Sequence, residues 1–298
     1  PFAEIELHVG DKKITEFDRA AYPDALLKKI INCEPEKVSY ETFDKLSAPG
    51  EKGTLHAYLL KPKKPRLGDE SRAMVLSFYG GGNAYSTTFQ MLCDAGYYVM
   101  SPAPRGTADF GGAFYDLAGG DWGGGETLDD FAAGKYLEKR LGIPAKHIGI
   151  FGGSRGGYDT LRALTFPGEV NGIKEDFRFG FGISDYGIAD IIRATEGGNI
   201  SQWFAYLTGG DPHKDAAKWK DRSPETHADL LSGPLLLTHG TNDRRIPAAE
   251  SRSMYAVAKK LGKEVYFLEL PEQGHGYKGV EPLARYYGAV FEFLGKIK

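Results

Sequence analysis

From Met74 to the end of the chain, short apolar runs alternate with stretches in which apolar residues recur every three to four positions. The runs at Met74–Tyr79, Tyr97–Pro102, Ile148–Phe151, Phe179–Ile183, Leu235–Thr238 and Val265–Leu270 read as buried strands. Between and after them lie helical stripes. Met254, Val257, Ala258 and Leu261 form one; Leu283, Tyr287, Val290, Phe291 and Leu294 form another, which closes the chain. Strand and helix in alternation predict an α/β fold with a mostly parallel central sheet and helices on both faces. In such sheets ligands bind beyond the carboxyl ends of the strands, so the residues just after each strand are where chemistry is expected.

The start of the chain follows a different pattern. Lys37–Thr42 and Thr54–Leu60 read as two strands joined by a polar turn containing Pro49-Gly50. Residues 1–36 form a poorly defined N-terminal segment, in which Ile5–Val9 alternates like a strand and Ala21–Ile31 like a short helix. The basic, proline-rich run Lys61–Arg66 reads as a solvated connector. The main α/β unit then spans 37–298. Within it, 184–233 is too long for a bare connection, and it carries Trp203, Phe204, Tyr206 and Trp219, enough to pack as a small helical insertion. Its place above the strand ends suits either a wall of a site, with Trp203 and Phe204 lining a substrate pocket, or a purely structural excursion.

Composition narrows the functional classes. With 37 basic against 40 acidic residues the net charge is −3, which lacks the basic field of a nucleic-acid or anionic-membrane binder. No apolar run approaches the roughly 18 residues of a spanning helix. The chain opens Pro1-Phe2-Ala3-Glu4, with neither Met nor an apolar signal core, as a processed or cut product would. A soluble, cytoplasmic location is the expectation. Cys33 and Cys93 lack metal-site spacing and read as buried thiols, with a single bridge between them left open. HExxH and CxxC are absent, so nothing calls for a metal or other cofactor.

The chemistry concentrates at Gly152-Gly153-Ser154-Arg155-Gly156, a G-x-S-x-G match. With 13 serines and 40 glycines, chance alone supplies roughly 0.2 such matches, so the context decides. Here the serine follows an apolar strand and opens a helical stretch, Tyr158 to Leu164. Strand, sharp turn and helix make a nucleophile elbow, the mark of the α/β-hydrolase fold. A serine hydroxyl needs a base, itself oriented by an acid, and in this fold the chain order is Ser, then Asp or Glu, then His. His275, flanked by Gly274 and Gly276 just past the strand at 265–270, is the candidate base. Asp243, just past the strand at 235–238, is the candidate acid, with Asp185 its rival. His239 precedes Asp243, breaks the order, and reads as a structural hydrogen-bonding residue.

Acyl transfer also needs donors for the developing oxyanion. The backbone N–H of Arg155 supplies one, and Tyr79, ahead of Gly80-Gly81-Gly82, offers a phenol for the other. The glycine run is no phosphate cradle. Tyr85 stands where G-x-G-x-x-G needs its third glycine, and no Lys-Ser or Lys-Thr follows.

These segments resemble the prolyl oligopeptidase family of serine peptidases. Gly152–Tyr158 resembles its active-serine segment, His239–Pro247 its acid segment and Gly274-His275-Gly276 its histidine segment. Arg105-Gly106 with Phe110-Gly111, Asp121-Trp122-Gly123 and Ser223-Pro224 add to the likeness, which covers about residues 74–295. The resemblance implies a peptidase acting through an acyl-enzyme, with Ser154, Asp243 and His275 as its triad and Tyr79 as an oxyanion donor. It also implies a large N-terminal β-propeller, for which 298 residues leave no room. Two departures follow: Arg155 stands where many members carry Tyr or Asn, altering the pocket rim, and an open site would also suit small esters. A non-catalytic binding module is the remaining reading, and three triad residues in order count against it.

Overall fold

The computed structural model describes residues 7–9, 12–14, 33–44, 53–66, 71–77 and 86–297. The expected helix over Ala21–Ile31 and the glycine run with Tyr79 lie outside them.

One sheet of eight strands organises the chain: β1 (Pro35–Glu41), β2 (Thr54–Leu60), β3 (Ala73–Leu76), β4 (Tyr98–Ala103), β5 (Ile148–Gly153), β6 (Phe181–Asp185), β7 (Leu235–Gly240) and β8 (Val265–Leu270). Their order across the sheet is β1-β2-β4-β3-β5-β6-β7-β8. From β4 to β8 every neighbouring pair is parallel, while β2 runs antiparallel to both β1 and β4. This is the α/β-hydrolase architecture. Leu7–Val9 pairs separately with Lys12–Ile14.

Strand periodicity explains why both faces are covered. Successive residues point to opposite sides. Val75, Ile150, Leu235 and Leu237 therefore enter one apolar cluster, and Met74, Leu76, Phe151 and Leu236 enter the other. The first cluster is roofed by helices α3 (Gly125–Leu141), α4 (Arg155–Leu164) and α8 (Ala249–Lys260). The second is roofed by α1 (Thr87–Asp94) and the closing helix α9 (Val280–Lys296). In α9 the buried stripe is Tyr286, Val290, Phe293 and Leu294, turned slightly from the expected face because Leu283, Tyr287 and Phe291 stay half-buried. Gly142, at φ 67°, closes α3 with its N–H on the Glu138 carbonyl.

A third cluster belongs to the insertion after β6. Helices α5 (Ile191–Gly197), α6 (Ser201–Thr208) and α7 (Ala216–Asp221) gather Phe204, Leu207 and Trp219 around Trp122 and Tyr158. Arg193 of α5 ties this layer to the main domain through Glu225 and the buried Glu250. The short helix α2 (Gly112–Asp116) precedes α3.

The cysteines correct the sequence reading, because Cys33 and Cys93 form a disulfide. The contact is between residues 60 apart, so spacing along the chain carried no sign of it. Gln90 reinforces it, accepting from the Cys33 N–H and donating to the Cys33 carbonyl, both at 3.0 Å. No helix among the described residues is long and apolar enough to cross a membrane.

Candidate active site

The chain order reverses across the sheet at β3, between β4 and β5, and the carboxyl ends there open a crevice. Ser154 stands at that point, in the turn between β5 and α4, with φ 58° and ψ −119°. A non-glycine residue in that region is strained, and the surroundings hold it there: its N–H donates to the Asp185 carbonyl at 2.9 Å. The glycines around it are steric necessities. A Cβ on Gly152 would lie 2.3 Å from the carbonyl oxygens of Gly156 and Ser77, and one on Gly157 2.7 Å from the Asp185 carbonyl.

The loops after β7 and β8 bring the other two expected residues to the serine. His275 Nε2 lies 2.8 Å from Ser154 Oγ, and its Nδ1 lies 2.7 Å from Asp243 Oδ2. With Asp243 ionised, Nδ1 carries the hydrogen and donates it, leaving Nε2 to accept from the serine hydroxyl. The other carboxylate oxygen, Asp243 Oδ1, accepts from the N–H groups of Arg245 (2.8 Å) and Ile246 (3.0 Å). Burial pushes the Asp243 pKa up, but His239, His275 and the Ile246 amide outweigh it and hold the carboxyl well below its ordinary range. His239 is buried with Nδ1 on Ser251 Oγ and Nε2 on the Ile246 carbonyl, which braces the acid loop from behind. Asp185, the rival acid, is the last residue of β6 and bonds Thr238 and Tyr286 instead.

A cavity of about 410 Å³ opens beside Ser154 and His275. Trp203 and Ile200, at the start of α6, form part of its wall, together with Tyr186 and Arg245. Phe204 does not line it. One position along a helix turns a side chain by 100°, so Phe204 is fully buried and stacked on Trp122 at 5.4 Å while Trp203 stays half-exposed. Arg155 lines the same cavity, at the rim position the sequence predicts. The residue is only 5% exposed; burial raises the pKa of the neighbouring acids Glu126 and Asp159, and the Arg155 charge offsets only part of that rise. Its backbone N–H, as the first residue of α4, remains at the mouth of the turn.

Tyr186 and Arg245 were not singled out from the sequence. Tyr186 sits at φ 38°, with its ring 4.8 Å from that of His275. Its position directly after a core strand was the available signal. Arg245 lies two residues past the acid, in a loop whose direction only the fold sets.

A parallel sheet of this order with a serine on a strained strand-to-helix turn defines an α/β hydrolase. The profile of the prolyl oligopeptidase family matches residues 83–297, and the chain belongs to that family. It is 31% identical over 280 residues to dipeptidyl aminopeptidase BIII of Pseudoxanthomonas mexicana, covering 88% of this chain and 39% of that protein. The uncharacterized peptidase YuxL of Bacillus subtilis is 29% identical over 249 residues, 81% of this chain and 35% of the relative. Among solved structures, uncomplexed acylaminoacyl peptidase of Pyrococcus horikoshii superimposes with a TM-score of 0.80 at 26% identity, over 93% of this chain and 44% of that one. The chain thus spans between a third and two-fifths of the length of these two curated relatives.

Proposed function

We propose that this chain is the catalytic part of a serine peptidase that cleaves peptide bonds through an acyl-enzyme. The observation that carries the reading is the unbroken chain Ser154 Oγ, His275 and Asp243, with links of 2.8 and 2.7 Å at the mouth of a cavity. In this reading Ser154 Oγ attacks the carbonyl carbon as His275 Nε2 takes its proton. Asp243 holds the imidazole in the tautomer that can accept and stabilises the cation that results. The tetrahedral oxyanion is received by the Arg155 N–H and by the phenol of Tyr79. His275 returns the proton to the departing amine, and a water activated by the same imidazole releases the acyl group.

The peptide assignment draws on family membership and on relatives named as peptidases. The relatives' greater length supports a further domain, an N-terminal β-propeller by the resemblance, outside these residues. Small esters need the same residues but less protonation of the leaving group, so they are the natural control. The test is fluorophosphonate labelling, followed by kcat/KM on matched peptide amides and esters. Labelling lost in Ser154→Ala, with turnover of amides, supports the proposal. Ester turnover without any amide turnover turns it into an esterase, and absence of labelling in the intact site ends it.

A further inference from the structure

Asp185 is a buried carboxylate that the proposed mechanism leaves without a task. It ends β6, beside the carboxyl end of β5 that carries Ser154, and its surroundings are ordered around one charge state. Thr238 Oγ1 donates to Asp185 Oδ1 at 2.6 Å, and the Tyr286 hydroxyl donates to Oδ2. Thr238 has one hydrogen, so its 2.5 Å contact with the Tyr277 hydroxyl has the phenol as donor. Every hydrogen in the chain Tyr277–Thr238–Asp185–Tyr286 therefore points towards the carboxylate. The network joins β6, β7, the loop bearing His275, and α9.

The same residue reaches the proposed triad from two sides. Its backbone carbonyl accepts from the Ser154 N–H at 2.9 Å, which fixes the strained turn. Tyr277, two residues after His275, packs edge-on against Tyr186 at 5.6 Å, and Tyr186 packs against His275 at 4.8 Å. Tyr186 is itself held at φ 38°, with its N–H on the Thr238 carbonyl at 2.7 Å.

We propose that Asp185 is a positioning residue: as a carboxylate it locks the ends of β6 and β7 and the Tyr277 loop, so that the Ser154 turn and His275 meet in bonding geometry. The inference rests on the reading of Ser154 and His275 as nucleophile and base. Protonation of Asp185 reverses one hydrogen bond and loosens the lock. Burial raises its pKa to about 7, against Thr238, Tyr286 and His239, which act to lower it. The polar and titratable groups facing it are Thr238 and His239 from β7, Tyr286 from α9, Tyr277 from the histidine loop, and neighbouring Tyr186. Loss of the lock therefore falls near neutral pH.

The experiment measures the second-order rate of fluorophosphonate labelling from pH 5 to 9, which needs no knowledge of the substrate. Asp185→Asn is expected to slow labelling roughly 10- to 100-fold at pH 8 and to remove the Asp185 proton from the acid limb, making that limb shallower. Tyr286→Phe takes one donor from the anion, so its acid limb should move upward by about half a pH unit or more. A residue with only a structural role would lower Tm and leave the limbs in place. Unchanged limbs in both variants, with wild type labelled normally, overturn the inference alone; if Asp185→Asn does not fold, the Tyr286→Phe limb decides. Wild type that does not label brings down the triad reading, and this inference with it.

Discussion

Asp243 and the pair Asp130–Asp159 are withdrawn from water to nearly the same degree, at 7%, 1% and 5% exposure, yet their pKa values are shifted in opposite directions. Around Asp243 the chain supplies donors: two backbone N–H groups and the His275 ring bond it, and His239 stands 3.5 Å away. Between α3 and α4, Asp130 Oδ2 and Asp159 Oδ2 both face one hydroxyl, Ser77 Oγ, at 2.9 and 3.2 Å. The one Ser77 hydroxyl hydrogen is shared by two buried carboxyls, which disfavours two anions side by side. Burial raises both, and each adds to its neighbours' repulsion: Asp159 and Asp129 raise Asp130 well above its ordinary range. Glu126 opposes the attraction of Arg155 at Asp159, which reaches about 7. The supply of donors, more than depth, decides which buried acid is an anion. An acid that must hold an imidazolium therefore belongs in a loop whose backbone amides turn towards it.

The largest effects should come from the donor-rich side. Ser154→Ala and His275→Ala are each expected to lower kcat by roughly 10⁴-fold or more, with little further loss when combined, because the two act as one unit. Asp243→Asn should cost roughly 10³- to 10⁴-fold through the wrong imidazole tautomer, well beyond Asp185→Asn. Steady-state kinetics of the four variants checks the order; Asp185→Asn as the more damaging would reinstate it as the acid.

Stability against pH sharpens the comparison, because the signs differ. Asp243 has a depressed pKa in the folded state, so its contribution is present above an ordinary carboxyl pKa of about 4 and fades as pH falls below it. Asp159 has a raised one, so its contribution is full below about pH 4 and is lost as pH rises towards 7. Thermal melts between pH 4 and 8 should show Asp243→Asn lowering Tm at neutral pH. Asp130→Asn or Asp159→Asn should instead flatten the decline from pH 4 to 7. A decline as steep in both of the latter as in wild type would mean that no proton is held there.

Smaller changes should separate the two neighbours in α6. Truncating Phe204 to Ala empties a buried ring site and should cost about 3–5 kcal/mol of stability. Trp203→Ala should leave Tm within a few degrees and reduce kcat/KM for peptides roughly 3- to 30-fold, with small esters nearly unaffected. Equal losses on both substrates would place the specificity pocket elsewhere.

Much of this arrangement was legible in one dimension. Apolar runs located the core strands because parallel strands sandwiched between helices must be apolar on both faces, as Ile148–Phe151 and Leu235–Thr238 are. Ser154, Asp243 and His275 could be picked out because a strand end followed by glycine or a polar turn leaves a local trace. What the sequence could not settle was anything fixed by partners distant along the chain. Cys33 meets Cys93 only because β1 follows that segment into the sheet and α1 packs on the same face. Trp203 and Phe204 look alike in composition, and only the packing of α6 on Trp122 sends one to the cavity and the other to the core. Asp185 is similar: a carboxylate after a strand is a candidate acid on sequence grounds. Its neighbours Thr238, Tyr277 and Tyr286 are 53, 92 and 101 residues away, and they alone turn it from the imidazole to the frame that holds it. Periodicity and turn chemistry are local properties, readable wherever burial on two faces demands them. Pairings between side chains are set by the closing of the sheet.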